Sequence, residues 1–253
     1  MPLQPRVPGG NRAYSPLWMP DGESIVYATA EAIMRRRADG TGNATTIAAL
    51  PAGAVAIPLA FTADASELVL QLRLEGEMVA GLYRLPLREG SEPELLIDGP
   101  FSRHDGALSP DGRWLAYASD ESGTDQVFVV PYPEVDAYRV PVSTDGGTEP
   151  LWDPTRNRLY FRQGNDLLSA DYDTDPRFSA GVPTTSVAGS FEPFGDVPGL
   201  NMSNLGPEYA VTPDGSRFVL IRPDNAPPED AAPLEIVVVE NWFEELKQRI
   251  PTD

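Results

Sequence analysis

The feature that most constrains this chain is a tight-turn motif that returns five times: Met19-Pro20-Asp21-Gly22, Thr62-Ala63-Asp64-Ala65, Ser109-Pro110-Asp111-Gly112, Asp153-Pro154-Thr155-Arg156 and Thr212-Pro213-Asp214-Gly215. In the third copy the proline presets φ for a turn. Asp111 and Gly112 tolerate the left-handed or near-helical dihedrals of a short hairpin, and Trp114-Leu115-Ala116-Tyr117 follows as a bulky strand. The third turn positions, 21, 64, 111, 155 and 214, lie 43, 47, 44 and 59 residues apart. Three of these spacings match the roughly 40–50 residues of a four-stranded propeller blade, and the fourth carries an insertion.

Each unit reads as four strands. In the third they fall at 106–110, 114–120, 126–131 and 138–143; matching second strands fall at 24–30, 68–74, 159–163 and 217–223, and third strands at 33–37, 81–87, 167–172 and 235–240. The expected fold is therefore all-β: a single β-propeller domain over 1–253 with five four-stranded blades at about 11–50, 54–98, 103–143, 147–188 and 206–240. The last unit lacks an outer strand, and residues 3–7 form a strand with no blade of their own, so pairing the two would close the ring and remove both open edges. The same pattern also fits the later blades of a larger propeller. A short helix is expected at 241–250, with Asn241 as N-cap, Glu244 in the capping-box position and Trp242, Phe243, Leu246 and Ile250 on one apolar face. Three positions before each turn residue stand Trp18, Phe61, Leu108, Trp152 and Val211, a bulky series expected to pack between blades. Residues 189–205 form a Gly/Pro-containing insertion and 223–233 an exposed connection.

Charge narrows the partners. Nineteen basic against thirty-eight acidic side chains give a formal charge of −19, which opposes binding to nucleic acid and to an anionic membrane surface and suits basic partners or cations. No cysteine is present, which removes disulfides, thiolate nucleophiles and cysteine metal sites. No apolar run is long enough to span a bilayer, and residues 1–10 hold no basic segment followed by an apolar core, so neither membrane insertion nor an export signal is expected. No Gly-x-Ser-x-Gly elbow occurs, no Gly-rich phosphate loop occurs, and the single lysine is Lys247, so neither a prolyl-peptidase-type catalytic domain nor a kinase domain is expected in these residues. Arg35, Arg36 and Arg37 read as a solvated strand whose middle member faces the other way.

Residues 109–120, then Gly146-Gly147-Thr148-Glu149-Pro150-Leu151-Trp152, then 236–247, resemble the TolB-type β-propeller repeats, and in particular those that follow the kinase domain in bacterial membrane-anchored serine/threonine kinases. The resemblance covers nearly the whole chain. It implies a sensor or protein-binding propeller acting outside the cytoplasm, in the manner of TolB, and says little about chemistry because one fold hosts many functions.

Six positions before each turn residue lie Ser15, Pro58, Asp105, Glu149 and Glu208, near the starts of the inner strands. Propeller geometry brings such positions to one mouth of the central channel. There Asp105, Glu149 and Glu208, with Ser15 and His104 beside them, would bind a protein or peptide partner or a small ligand. The competing reading makes them solvated channel residues or acceptors for backbone amides of neighbouring blades. No cofactor is expected; Ca²⁺ is the cation that three such carboxylates would take, and a calcium-dependent hydrolase of a lactone or sugar ester is the alternative to a non-catalytic binding module. His104 is the only histidine, and strand alternation would point it away from Asp105, so a His–Asp relay is not expected.

Overall fold

The computed structural model describes residues 13–88, 90–189, 207 and 209–220. All regular structure among them is β, in antiparallel sheets of consecutive strands. Blade 1 comprises β1 (Tyr14–Trp18), β2 (Ser24–Ala28), β3 (Ala32–Arg37) and β4 (Thr45–Ala49). Blade 2 comprises β5 (Val55–Phe61), β6 (Glu67–Arg73), β7 (Gly81–Pro86) and β8 (Glu94–Leu95), and blade 3 β9 (Arg103–Leu108), β10 (Trp114–Ser119), β11 (Gln126–Pro131) and β12 (Val140–Pro141). Blade 4 runs from β13 (Thr148–Trp152) through β14 (Arg158–Gln163) to β15 (Asp166–Asp173), on whose outer edge β16 (Ser179–Ala180) and β17 (Thr184–Val187) both pair. A fifth sheet opens with β18 (Tyr209–Val211) and β19 (Phe218–Leu220). These are the blades of a β-propeller. The expected strands 3–7 and 235–240, the connection 223–233 and the helix 241–250 lie outside the described residues.

The repeated turn works by side-chain capture. Asp111 Oδ1 accepts from the Ser109 hydroxyl at 2.6 Å and from the Arg113 N–H at 3.1 Å, and Asp64 Oδ1 accepts from Thr62 and from the Ser66 N–H at 2.7 and 3.0 Å. Hydrogen bonds from Thr62 and Ser66 hold the Asp64 carboxyl down to about 2. Gly22, Gly112 and Gly215 take the left-handed position after the aspartate, and in blade 2 Ala65 occupies it at φ 55°.

Apolar alternation then buries one sheet against the next. One core cluster joins blades 1 and 2 around Val26, Ile33, Leu68 and Leu70; another joins blades 2 and 3 around Leu82, Leu115 and Tyr117; a third joins blades 3 and 4 around Trp114, Trp152 and Phe161. The bulky series packs between blades where a preceding blade exists. Trp152 is 5% exposed, sits edge-on to Tyr172 and Phe178 and donates its indole N–H to the Ala107 carbonyl at 3.0 Å. Trp18 departs from that expectation at 62% exposure, because among the described residues no blade precedes blade 1.

Every described inner strand of blades 1–4 carries an irregularity near its start, and that of blade 3 begins at Arg103, three residues before the expected 106. The register with the second strand shifts between Tyr14 and Leu17, between Pro58 and Ala60, opposite Asp105-Gly106, and between Thr148 and Leu151. A bulge thus sits at the same repeat position four times. Its first residue is left-handed in three of them: Ser15 at φ 50°, Asp105 at 56° and Glu149 at 54°. Pro58 occupies the fourth, where its ring fixes φ on the negative side.

Candidate functional site

The bulge decides what the central side chains touch. In a regular strand His104 and Asp105 would face opposite ways, but the left-handed Asp105 breaks the alternation. His104 Nδ1 lies 2.9 Å from Asp105 Oδ2, and its Nε2 lies 3.1 Å from Asp125 Oδ1, in the hairpin between β10 and β11. The expectation of no His–Asp contact is therefore overturned, and the reason is backbone geometry that alternation does not anticipate. Both side chains of the pair are buried. Burial works against a charged imidazole, yet hydrogen bonds from Asp105 and then Asp125, with their negative charge, outweigh it and raise His104 to about 10. At neutral pH the ring is an imidazolium held from both sides. The same hydrogen bond lowers Asp125 below the usual carboxylate range.

Asp105 also links blades. Its Oδ2 accepts from the Glu149 N–H at 3.2 Å, and its own N–H donates to Gln71 Oε1 of blade 2 at 3.4 Å. Glu149 Oε1 accepts from Arg162 Nη1 at 3.0 Å, and the Glu149 carbonyl accepts from the Tyr209 hydroxyl at 2.7 Å. A hydrogen-bonded chain thus runs through one bulge to the next, from Gln71 to Asp105 to Glu149 to Tyr209, across four blades. One atom in it is unsatisfied: Asp105 Oδ1 is buried and has no hydrogen-bond donor among the described residues. Ser15 Oγ is likewise buried without a partner, since the equivalent residue in the next blade, Pro58, has no N–H to offer.

The structure thus brings together Asp105, His104 and Glu149, places Ser15 at the equivalent bulge two blades earlier, and does not describe Glu208 or residues 190–206 of the insertion. It adds Asp125, Gln71, Arg162 and Tyr209. Gln71 and Arg162 both stand seven positions after the turn residue of their unit, where blades 1 and 3 carry Ala28 and Ala118. A buried polar residue recurring at one repeat position was the available signal for them. Among the described residues no group of three or more His, Asp or Glu side chains is arranged to hold a metal ion.

No protein-family model and no curated protein sequence matches the chain. Solved structures match through their fold. They include TolB from Acinetobacter baumannii, 16% identical over 70% of this chain and 44% of that one with a TM-score of 0.52. They also include an oligogalacturonate lyase in complex with manganese, 15% identical over 69% and 54% with a TM-score of 0.53. A puromycin-hydrolyzing peptidase of Mycobacterium tuberculosis is 18% identical over 81% and 34% with a TM-score of 0.57. The chain spans about half or less of the length of these three proteins. Such identities speak to architecture alone. Together with the recurring turn and the bulged inner strands, they show that this chain has a β-propeller fold.

Proposed function

We propose that the chain is a non-catalytic binding propeller that receives a protein or peptide partner, or a small ligand, at the end of the blades where the inner strands begin. The observation that carries this reading is Asp105 Oδ1, a buried carboxylate oxygen with no donor among the described residues, next to a chain of groups that are otherwise paired. A buried acceptor left open is costly unless water or a ligand satisfies it. The single histidine supports binding over catalysis: with both ring nitrogens engaged and its proton held to about 10, it has no free lone pair for general-base work near neutral pH.

The second reading, calcium-dependent hydrolysis of a lactone or sugar ester, draws on the same oxygen and is weaker. His104 and Arg162 already place positive charge against Asp105 and Glu149, an environment that opposes a dication there. Immobilised chain tests the first reading: a specific partner retained by the natural sequence and lost with Asp105→Asn plus Glu208→Gln, under conditions where both are folded, is the expected result. Turnover of a lactone or ester by the purified chain, abolished by the same pair of changes, would overturn it. A rise in melting temperature with Ca²⁺ over chelator would favour the second reading.

A further inference from the structure

Carboxylates are paired with cations at both ends of the blades, and at the end where the inner strands begin Glu121 meets Arg139 and Glu149 meets Arg162. At the end bearing the repeated turns, carboxylates are paired with arginines: Arg35 with Asp21, Arg37 with Asp39, Arg113 with Asp111 and Arg158 with Asp171, at 2.6–3.2 Å. The opposite end holds the starts of the inner strands, the hairpins between second and third strands, and the connections from blade to blade. Backbone hydrogen bonds tie these pieces to one another: the Arg103 N–H to the Ala80 carbonyl at 2.9 Å and the Gly147 N–H to the Asp125 carbonyl at 2.8 Å.

Within that end, the sector of blades 2 and 3 carries both unpaired carboxylates and exposed apolar side chains. Its hairpin at 74–80 carries exposed Glu75 and Glu77, and the connection at 96–102 carries exposed Asp98. None of the three joins an ion pair among the described residues. Met78, 95% exposed, stands between Glu77 and Asp98 in sequence, and Phe101, 40% exposed, follows Asp98 in the same connection. An apolar side chain as bare as Met78, flanked by unpaired carboxylates, is the composition of a contact surface with anchors and a charged rim. Blade 1 shows that the fold can do without it, for its equivalent hairpin is only Thr29-Ala30-Glu31, whose Glu31 carbonyl is taken by the Leu50 N–H.

Building on the binding reading above, we propose that this rim is where the partner docks, and that the partner is a protein segment presenting Lys or Arg beside an apolar side chain. The unpaired carboxylates complement its cations, and Met78 and Phe101 take its apolar contact. Arg73 is exposed beside this hairpin and Arg103 is buried against the Gly99 and Phe101 carbonyls, so Glu75, Glu77 and Asp98 outnumber the two cations by one.

The test uses the full chain and a synthetic Lys/Leu amphipathic peptide as probe, with Gln/Leu and Glu/Leu peptides for comparison, read by fluorescence anisotropy at two salt concentrations. Three sets of changes are compared after confirming equal melting temperatures: Glu75→Gln, Glu77→Gln and Asp98→Asn at the rim; Met78→Ala with Phe101→Ala; and Glu23→Gln, Glu92→Gln and Asp171→Asn at the turn end, which removes the same charge. Rim neutralisation is expected to weaken Lys/Leu binding by about tenfold and the apolar pair by several-fold, with the turn-end set within about twofold of the natural sequence. Equal losses from the rim and turn-end sets would mean general attraction to an acidic protein and would overturn the proposal. So would a Gln/Leu peptide that binds as well as Lys/Leu. A captured partner lost with Asp105→Asn but indifferent to the rim changes would remove this surface while leaving the binding reading in place.

Discussion

Two junctions between neighbouring blades use the same backbone device and hold together by different means. Where blade 3 meets blade 4, the bulge residue Asp105 reaches forward to the N–H of the next bulge residue, Glu149, and is itself pinned by an imidazolium that Asp125 holds from the far side. Where blade 1 meets blade 2, the corresponding residues are Ser15 and Pro58; the proline has no N–H, the serine hydroxyl goes unpartnered, and the contact is made by Ala54, Ala56, Leu70 and Leu72 against Val26 and Ala28. Position in the repeat therefore fixes the backbone but not the chemistry. The apolar junction gains from area removed from water and tolerates small defects, whereas the polar junction depends on each partner being present. The candidate functional atoms lie at the polar junction, where buried charges meet across two blades.

The largest effect should come from breaking the polar junction at its hinge. Asp105→Ala leaves the Glu149 N–H without its acceptor and the His104 charge with one carboxylate instead of two. Removing one member of a buried ionic cluster costs about 3–5 kcal/mol, so the urea midpoint should fall steeply. A loss under about 1 kcal/mol would mean that the polar chain is peripheral to stability and that the contrast between the junctions is false.

The bulky residues that seal the two junctions sharpen the same contrast. Trp152 is buried among Trp114, Tyr172 and Phe178 and spends its indole N–H on blade 3, so Trp152→Ala should cost about 3–5 kcal/mol. Phe61, its counterpart in blade 2, is only half-buried, and Phe61→Ala should cost about 1–2 kcal/mol. Chemical denaturation of both variants beside the natural sequence decides whether the junctions differ in depth as well as in polarity.

A pH series isolates the imidazolium. His104 is raised from 6.5 to about 10 in the folded chain, so folding favours the protonated ring. The stability it contributes is complete below the unfolded value and is lost as pH climbs through the folded one, giving a decline between about pH 6.5 and 10. The drop should be on the order of a few kcal/mol, and His104→Gln should flatten it. The chain has no cysteine and no second histidine, so little else titrates there. A slope that survives His104→Gln would place the pH sensitivity in the general repulsion of an acidic protein.

Much of this architecture is legible in the residues, and the boundary of legibility is physical. The turn is local chemistry: an aspartate flanked by a hydroxyl and a glycine satisfies its own loop, so Ser109 to Arg113 announces itself without tertiary context. The blade count in the described part, the second and third strands and the burial of Trp152 follow from that turn and from alternation. The His104–Asp105 contact was hidden because alternation holds only for regular strands, and the left-handed residue at three of the four bulges is a tertiary outcome. Aspartate tolerates that conformation, but glutamate and serine at the same position carry no such signal. Asp125 was hidden for a different reason: it reaches His104 from a hairpin whose sequence reads as a plain turn. Gln71 and Arg162 could have been found, since both are polar residues at the same repeat position.

The smallest effect belongs to the apolar junction, and its sign is informative. Ser15→Ala removes a buried hydroxyl that has no partner and leaves the surrounding contacts in place. Deleting an unsatisfied buried polar group relieves a desolvation cost, while alanine inherits the left-handed backbone at φ 50° and gains nothing there. The net change should be a stabilisation of up to about 1 kcal/mol, visible as a small rise in the urea midpoint with an unchanged slope. Glu149 shares that backbone conformation at the equivalent position, yet its carboxylate is tied to Arg162, so Glu149→Ala should destabilise. Opposite signs at two positions of identical geometry would demonstrate that the bulge is the constant of the repeat and that the polar chain, where it is complete, is what the later blades add to it.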